Sequence, residues 1–112
     1  MCGLAGMLLP AAQTPAEVLQ AQALAMGQAL HHRGPDDGGT WVDAAAGIAL
    51  AHRRLSILDL SPLGHQPMAS ADGRYVMAYN GEVYNFAALR AELEPLGHAF
   101  RGHSDTEVLL AA

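Results

Sequence analysis

The chain has 112 residues, a net charge of −5, and 51% apolar against 15% charged residues. That is enough for one small folded domain with its own core. The net charge argues against a nucleic-acid partner, because phosphate binding needs a basic face. All six basic residues are arginines, so no lysine is available as a base or Schiff-base nucleophile. No stretch approaches the roughly 20 apolar residues of a membrane span. The apolar start has no basic flank and is cut short at Pro10 and Gln13, unlike a secretory signal. The single cysteine, Cys2, cannot form an internal disulfide, which fits a reducing, cytoplasmic setting.

In chain order, residues 3–9 are small and apolar without alternation and predict a short buried strand. Thr14, Pro15 and Glu17 then form a capping-box signature, with Thr14 as N-cap and Pro15 at the first helical position. Val18, Leu19, Ala25, Met26 and Leu30 recur at helical spacing, so this helix runs to about residue 30. Residues 33–39 (RGPDDGG) are a dense loop signal. Residues 40–42 and 48–51 read as strands joined by a turn at 43–47. A long irregular stretch over 52–72 follows, of the kind that carries function or is disordered. Residues 75–79 form a continuous apolar run and predict a central strand, with Asn80-Gly81 as a hairpin turn. Asn85 opens a helix with Phe86, Leu89, Leu93 and Leu96 on one face, ended by Gly97. Residues 99–100 suggest a short strand. Ser104 to Glu107 form a second capping box ahead of Val108, Leu109 and Leu110. That last helix has no stop signal, and the chain is therefore expected to be truncated.

The six histidines show no metal-ligand spacing, and no metal site is expected. Removal of Met1 would put a thiol and a free α-amine on Cys2, a nucleophile and its base on one residue. A lone cysteine also serves as a small buried hydrophobe. Arg54, directly after a strand, is suited to pair with a carboxylate, although Arg53-Arg54 also reads as a surface pair. Asn80, Gly81 and Glu82 offer an amide and a close-approach backbone N–H, the ingredients of an oxyanion hole, or else a tight turn. Asp105 could bind a substrate ammonium or simply favour the helix dipole. Taken together these groups suggest an amino-acid site in which Cys2 attacks a side-chain carbonyl.

The stretches MCGLAG, HRGPDDGG, AHRRLSILDLS, GHQPM, YNGEVYNF and SDTEVLL occur in one order along nearly the whole chain. In this order they resemble the start of a class II glutamine amidotransferase domain, an N-terminal-nucleophile hydrolase. The pairing of RGPD with RLSILD and GHQPM resembles the asparagine synthase branch. The resemblance implies an α+β fold, a four-layer sandwich of antiparallel sheets flanked by helices, of which residues 1–112 supply the earlier part. It implies Cys2 as nucleophile with its own α-amine as base, and Asn80 and Gly81 as oxyanion hole. It also implies Arg54 and Asp105 as ligands of the glutamine carboxylate and ammonium, with Leu55, Ile57 and Glu82 lining the pocket. Gly102 departs from the family pattern just before SDTEV. Glutamine is the implied substrate. No cofactor is expected in this chain; ATP, Mg and aspartate belong to a second, missing domain that uses the ammonia, in a parent that could be a homodimer. Two alternatives stand beside this: a catalytically silent fragment, or a relative serving polysaccharide or natural-product pathways.

Overall fold

The computed structural model describes residues 1–57 and 60–112. It is an α+β arrangement of antiparallel sheets and three α-helices. Strands β1 (Gly3–Leu8), β2 (Asp37–Asp43) and β3 (Ile48–Arg54) form one sheet in the order β1-β3-β2. Helix α1 (Ala16–Ala29) packs on one face of it. Register explains the packing. Ala51 stands opposite both Ala5 and Thr40, and Ala49 opposite Met7 and Val42. Successive side chains alternate faces, so Ala49 and Ala51 turn toward α1 and His52 and Arg54 turn away. Two alanines in the central strand let the helix close on the sheet around Leu19 and Ala23, all four fully buried. Burying the Leu19 side chain contributes about 1.5–3 kcal/mol.

The same register fixes the location of the site. Gly3 pairs with Arg53, so the chain start and the exit of β3 lie side by side at one end of the sheet. Strands β4 (Met68–Ala69) and β5 (Val76–Met77) make a separate two-stranded sheet. Helix α2 (Phe86–Leu93) lies against α3 (Asp105–Ala111). The Arg90 guanidinium ties the α2 end to the next loop: it donates to Glu94 Oε1 (2.9 Å) and Gly102 O (2.8 Å) and stacks over the Phe100 ring.

Several local expectations shift. The first strand is not buried on both sides, because Leu4 and Leu8 face outward and are exposed. Helix α1 starts at Ala16 with Pro15 as N-cap and no side-chain cap, so Thr14 does not serve. Its buried residues are Leu19, Ala23 and Gly27, while Val18 is exposed. Both strands of the hairpin are longer than the apolar pattern suggested. β2 begins at Asp37, inside the glycine-rich loop, and β3 continues through His52 to Arg54. Charged and glycine residues hid them, and pairing with a neighbour overrides propensity there. Only Val76–Met77 of the 75–79 run is strand, and it lies in the small sheet rather than at a centre. Asn80-Gly81 makes no hairpin, and residues 99–100 are not a strand. Gly97 does end the α2 region, in the left-handed conformation (φ 97°), after one 3-10 turn. Ser104 caps α3 by accepting from Glu107 N (3.2 Å). The Glu107 carboxylate, however, accepts from Arg101 N and Gly102 N instead of closing the box. Of the irregular 52–72 stretch, Leu58 and Asp59 lie outside the described residues.

Candidate active site

Cys2 precedes β1 and is half-buried. Its sulfur lies against the backbone that leaves β3: the Leu55 N–H donates to Sγ at 3.3 Å, and Sγ stands 3.6 Å from Leu55 O. Its carbonyl accepts from two side chains, Arg33 Nε (3.1 Å) and Asn80 Nδ2 (3.0 Å). Residues from three distant segments therefore fix the position of Cys2. The HRGPDDGG loop has the same bracing role. Asp36 Oδ2 accepts from Ser56 N (2.8 Å), and the Asp36 N–H donates to Arg54 O (3.1 Å). Asp37 Oδ2 meets His65 Nδ1 at 2.7 Å, and the Gly38 N–H donates to Asp37 Oδ1. Partial burial raises the Asp37 carboxyl pKa, but the bonds from His65 and Gly38 outweigh it and hold it below the usual carboxylate value.

A cavity of about 350 Å³ opens in front of Cys2, within the range of small-molecule sites, about 300–1,000 Å³. All eight residues singled out from the sequence line it: Cys2, Arg54, Leu55, Ile57, Asn80, Gly81, Glu82 and Asp105. The charged pair is buried at its wall, Arg54 at 8% and Asp105 at 7% exposure. Arg54 Nη1 donates to Ser61 O (2.8 Å), which aims the guanidinium. Asp105, in the first turn of α3, accepts the Val83 N–H on Oδ2 (2.8 Å). A buried guanidinium and a buried carboxylate on one cavity suit a zwitterion, whose two charges each find an opposite partner. Ile57 and Glu82 sit at the exposed rim, and Asn80 and Gly81 are exposed at the mouth.

The cavity also has walls for which the sequence carried no specific signal. Met1, Gly64, Gln66, Tyr79, Tyr84, Ser104 and Thr106 line it too. Gln66 and Gly64 belong to the GHQPM stretch, whose order in the chain is a signal but whose role is not legible: a buried amide looks like any other glutamine. His52, on β3, is 1% exposed, and its Nε2 stands 3.1 Å from Tyr79 O. A carbonyl only accepts, so Nε2 carries the proton and the neutral ring presents Nδ1 as an acceptor. Nδ1 has no partner among the described residues. Burial disfavours the charged ring and pushes the His52 pKa below the ordinary histidine value. No His, Cys, Asp and Glu among the described residues form a group that could hold a metal ion. No helix among the described residues is long and apolar enough to cross a membrane.

A family model described as a glutamine amidotransferase domain matches residues 1–112. Asparagine synthetase [glutamine-hydrolyzing] 1 of Bacillus subtilis is 46% identical over 99% of this chain and 17% of its own length. Asparagine synthetase B of Escherichia coli is 40% identical over 99% of this chain and 19% of its own length. An amidase, chry2, of Gibberella zeae is 34% identical over 99% of this chain and 17% of its own length. The chain thus spans less than a fifth of the length of these curated relatives.

Proposed function

Because the chain belongs to the glutamine amidotransferase domain family, we propose that it is the glutaminase part of an asparagine synthase-like enzyme, built on an N-terminal-nucleophile hydrolase fold. The observation that carries this reading is one cavity with Cys2 at one wall, Arg54 and Asp105 buried in it, and Asn80 at its mouth. Glutamine binds with its α-carboxylate on Arg54 and its α-ammonium on Asp105. Its side-chain amide then reaches the sulfur. Leu55 and Ile57 line the path, and Glu82 adds a second carboxylate at the rim.

The chemistry is an acyl transfer in two halves. Once Met1 is removed, the Cys2 α-amine takes the thiol proton, and the sulfur attacks the glutamine side-chain carbonyl. The resulting oxyanion is held by the Asn80 amide and the Gly81 N–H. The proton passes to the leaving nitrogen and ammonia departs, leaving a γ-glutamyl thioester. Water, activated by the same amine, cleaves the thioester to glutamate and restores the thiol. With Met1 in place the Cys2 nitrogen is an amide and cannot act as the base, so methionine removal is the activating step. Ammonia then serves an ATP- and Mg-dependent domain that amidates aspartate. None of the residues of this chain is assigned to that domain. Aspartate is favoured as the acceptor because glutamine-hydrolysing asparagine synthetases are 40–46% identical over nearly the whole chain.

The test is covalent labelling of the full-length protein with a glutamine-mimicking electrophile, followed by intact-mass measurement and peptide mapping. One label per chain on Cys2, absent in Cys2→Ala, is the expected outcome. Label at another residue, or unchanged labelling of Cys2→Ala, overturns the assignment of the nucleophile.

A further inference from the structure

Residues 78–82 carry Asn80 and Gly81, yet they lie beyond the end of β5 and have no ladder partner among the described residues. Unladdered backbone is mobile unless other groups hold it. Here the Tyr79 backbone is held at both its N–H and its carbonyl by buried side chains. Its N–H donates to Gln66 Oε1 at 2.6 Å, and its carbonyl accepts from His52 Nε2 at 3.1 Å. Gln66 and His52 do for this one residue what an adjacent strand would have done.

Gln66 has a second attachment. It is 6% exposed, and its Nε2 donates to Thr106 Oγ1 at 3.2 Å. Thr106 neighbours Asp105 in the first turn of α3, and Asp105 in turn accepts the Val83 N–H. The segment from Tyr79 to Val83 is therefore strung between two ties that both end on that turn. Asn80, Gly81 and Glu82 lie between the ties, and Asn80 makes the third attachment, to the Cys2 carbonyl.

We propose that Gln66 is a positioning residue for the Asn80–Gly81 pair: by bridging the Tyr79 N–H to Thr106 it sets the distance between those donors and the residue that binds the substrate ammonium. His52 holds the carbonyl of the same residue. The inference rests on the reading of Asn80 and Gly81 as oxyanion donors. Both amide atoms of Gln66 are used, one as acceptor and one as donor, so no apolar side chain of similar length substitutes for it. Oxyanion donors act only within a few tenths of an ångström of their productive position. Loosening them therefore slows the chemical step more than it weakens substrate binding.

The experiment is steady-state glutamine hydrolysis by the full-length protein carrying Gln66→Met, with Asn80→Ala and the double variant alongside. The expected kcat of Gln66→Met falls about 10- to 100-fold with KM within about threefold. The double variant falls well short of the product of the two single losses, because both act through the same donors. A purely structural role predicts otherwise: a lower melting temperature with kcat per labelled Cys2 unchanged, or losses that multiply in full. Either result overturns the inference. If Gln66→Met does not fold, Thr106→Val, which removes the hydroxyl that accepts from Gln66 while keeping the side chain's size, carries the test, and an unchanged kcat there overturns it too. Wild-type protein that releases no ammonia from glutamine overturns the glutaminase reading and this inference with it. Active wild type with unaffected variants overturns this inference alone.

Discussion

Gly64→Ala separates the geometry of the substrate clamp from the stability of the fold. Gly64 lies in the 3-10 turn after Ser61, is buried, and faces the Arg54 guanidinium. A Cβ built there would stand 2.5 Å from Arg54 Cζ and closer still to one of its terminal nitrogens. Carbon contacts settle near 3.5–4.0 Å, so the guanidinium must retreat by about 1 Å. The group that yields is the far end of a flexible side chain, and Gly64 is not among the glycines with positive φ. The backbone therefore has no reason to break, and the stability cost stays near 1 kcal/mol or below. The binding cost is larger. A hydrogen bond to a charged group contributes about 1.5–3 kcal/mol, which is about 10- to 150-fold in affinity. In the glutaminase reading, Arg54 meets the glutamine carboxylate, so KM for glutamine rises by about that factor. Because Arg54 does not touch the reacting carbonyl, kcat changes by less than about fivefold. The assay is steady-state ammonia release by the full-length protein against glutamine concentration, with a thermal melt of the same preparation. A KM within twofold of wild type refutes the reasoning. So does a large fall in melting temperature, which would mean that the backbone and not the arginine gives way.

Two further outcomes follow from the same structure. Because burial holds the His52 pKa below the ordinary value of about 6.5, the unfolded chain takes up protons there first. The stabilising contribution of the neutral ring is thus complete above about pH 6.5 and is lost as pH falls below it. His52→Gln, which keeps a donor for Tyr79 O, should flatten the dependence of melting temperature on pH between about 5 and 7; an unchanged slope counts against it. Ser104→Ala removes the side-chain cap of α3 and should lower stability by about 1 kcal/mol, read as a melting shift of roughly 4 °C. No shift would mean that the cap is replaced by water or a neighbour.

The His65–Asp37 pair and the Asp36–Ser56 link show what the glycine-rich loop does beyond making turns. It latches the exit of β3, where Arg54 and Leu55 meet Cys2. Sequence pattern suggested a loop because Asp and Gly are poor strand formers. Register with β3 nevertheless pulls Asp37 to Gly39 into the sheet.

Local patterns were enough to identify the elements that depend on neighbours in sequence. The helix periodicity of residues 16–29, the Ser104 cap and the Gly97 stop all arise within a few residues of one another. Ordered motifs were likewise enough to identify the family and to nominate eight site residues, because reaction chemistry restricts which residue types work at a given place. Proximity needed the tertiary structure. Cys2 and Leu55 are 53 positions apart, and Asn80 and Cys2 are 78 apart. Only the antiparallel pairing of β1 with β3 brings the first pair together. The buried ties of Gln66 and His52 to Tyr79 could not be read in advance for the same reason. A hydrogen bond between distant side chains leaves no periodicity in the chain, since it is the fold that selects which polar groups must satisfy one another out of reach of water.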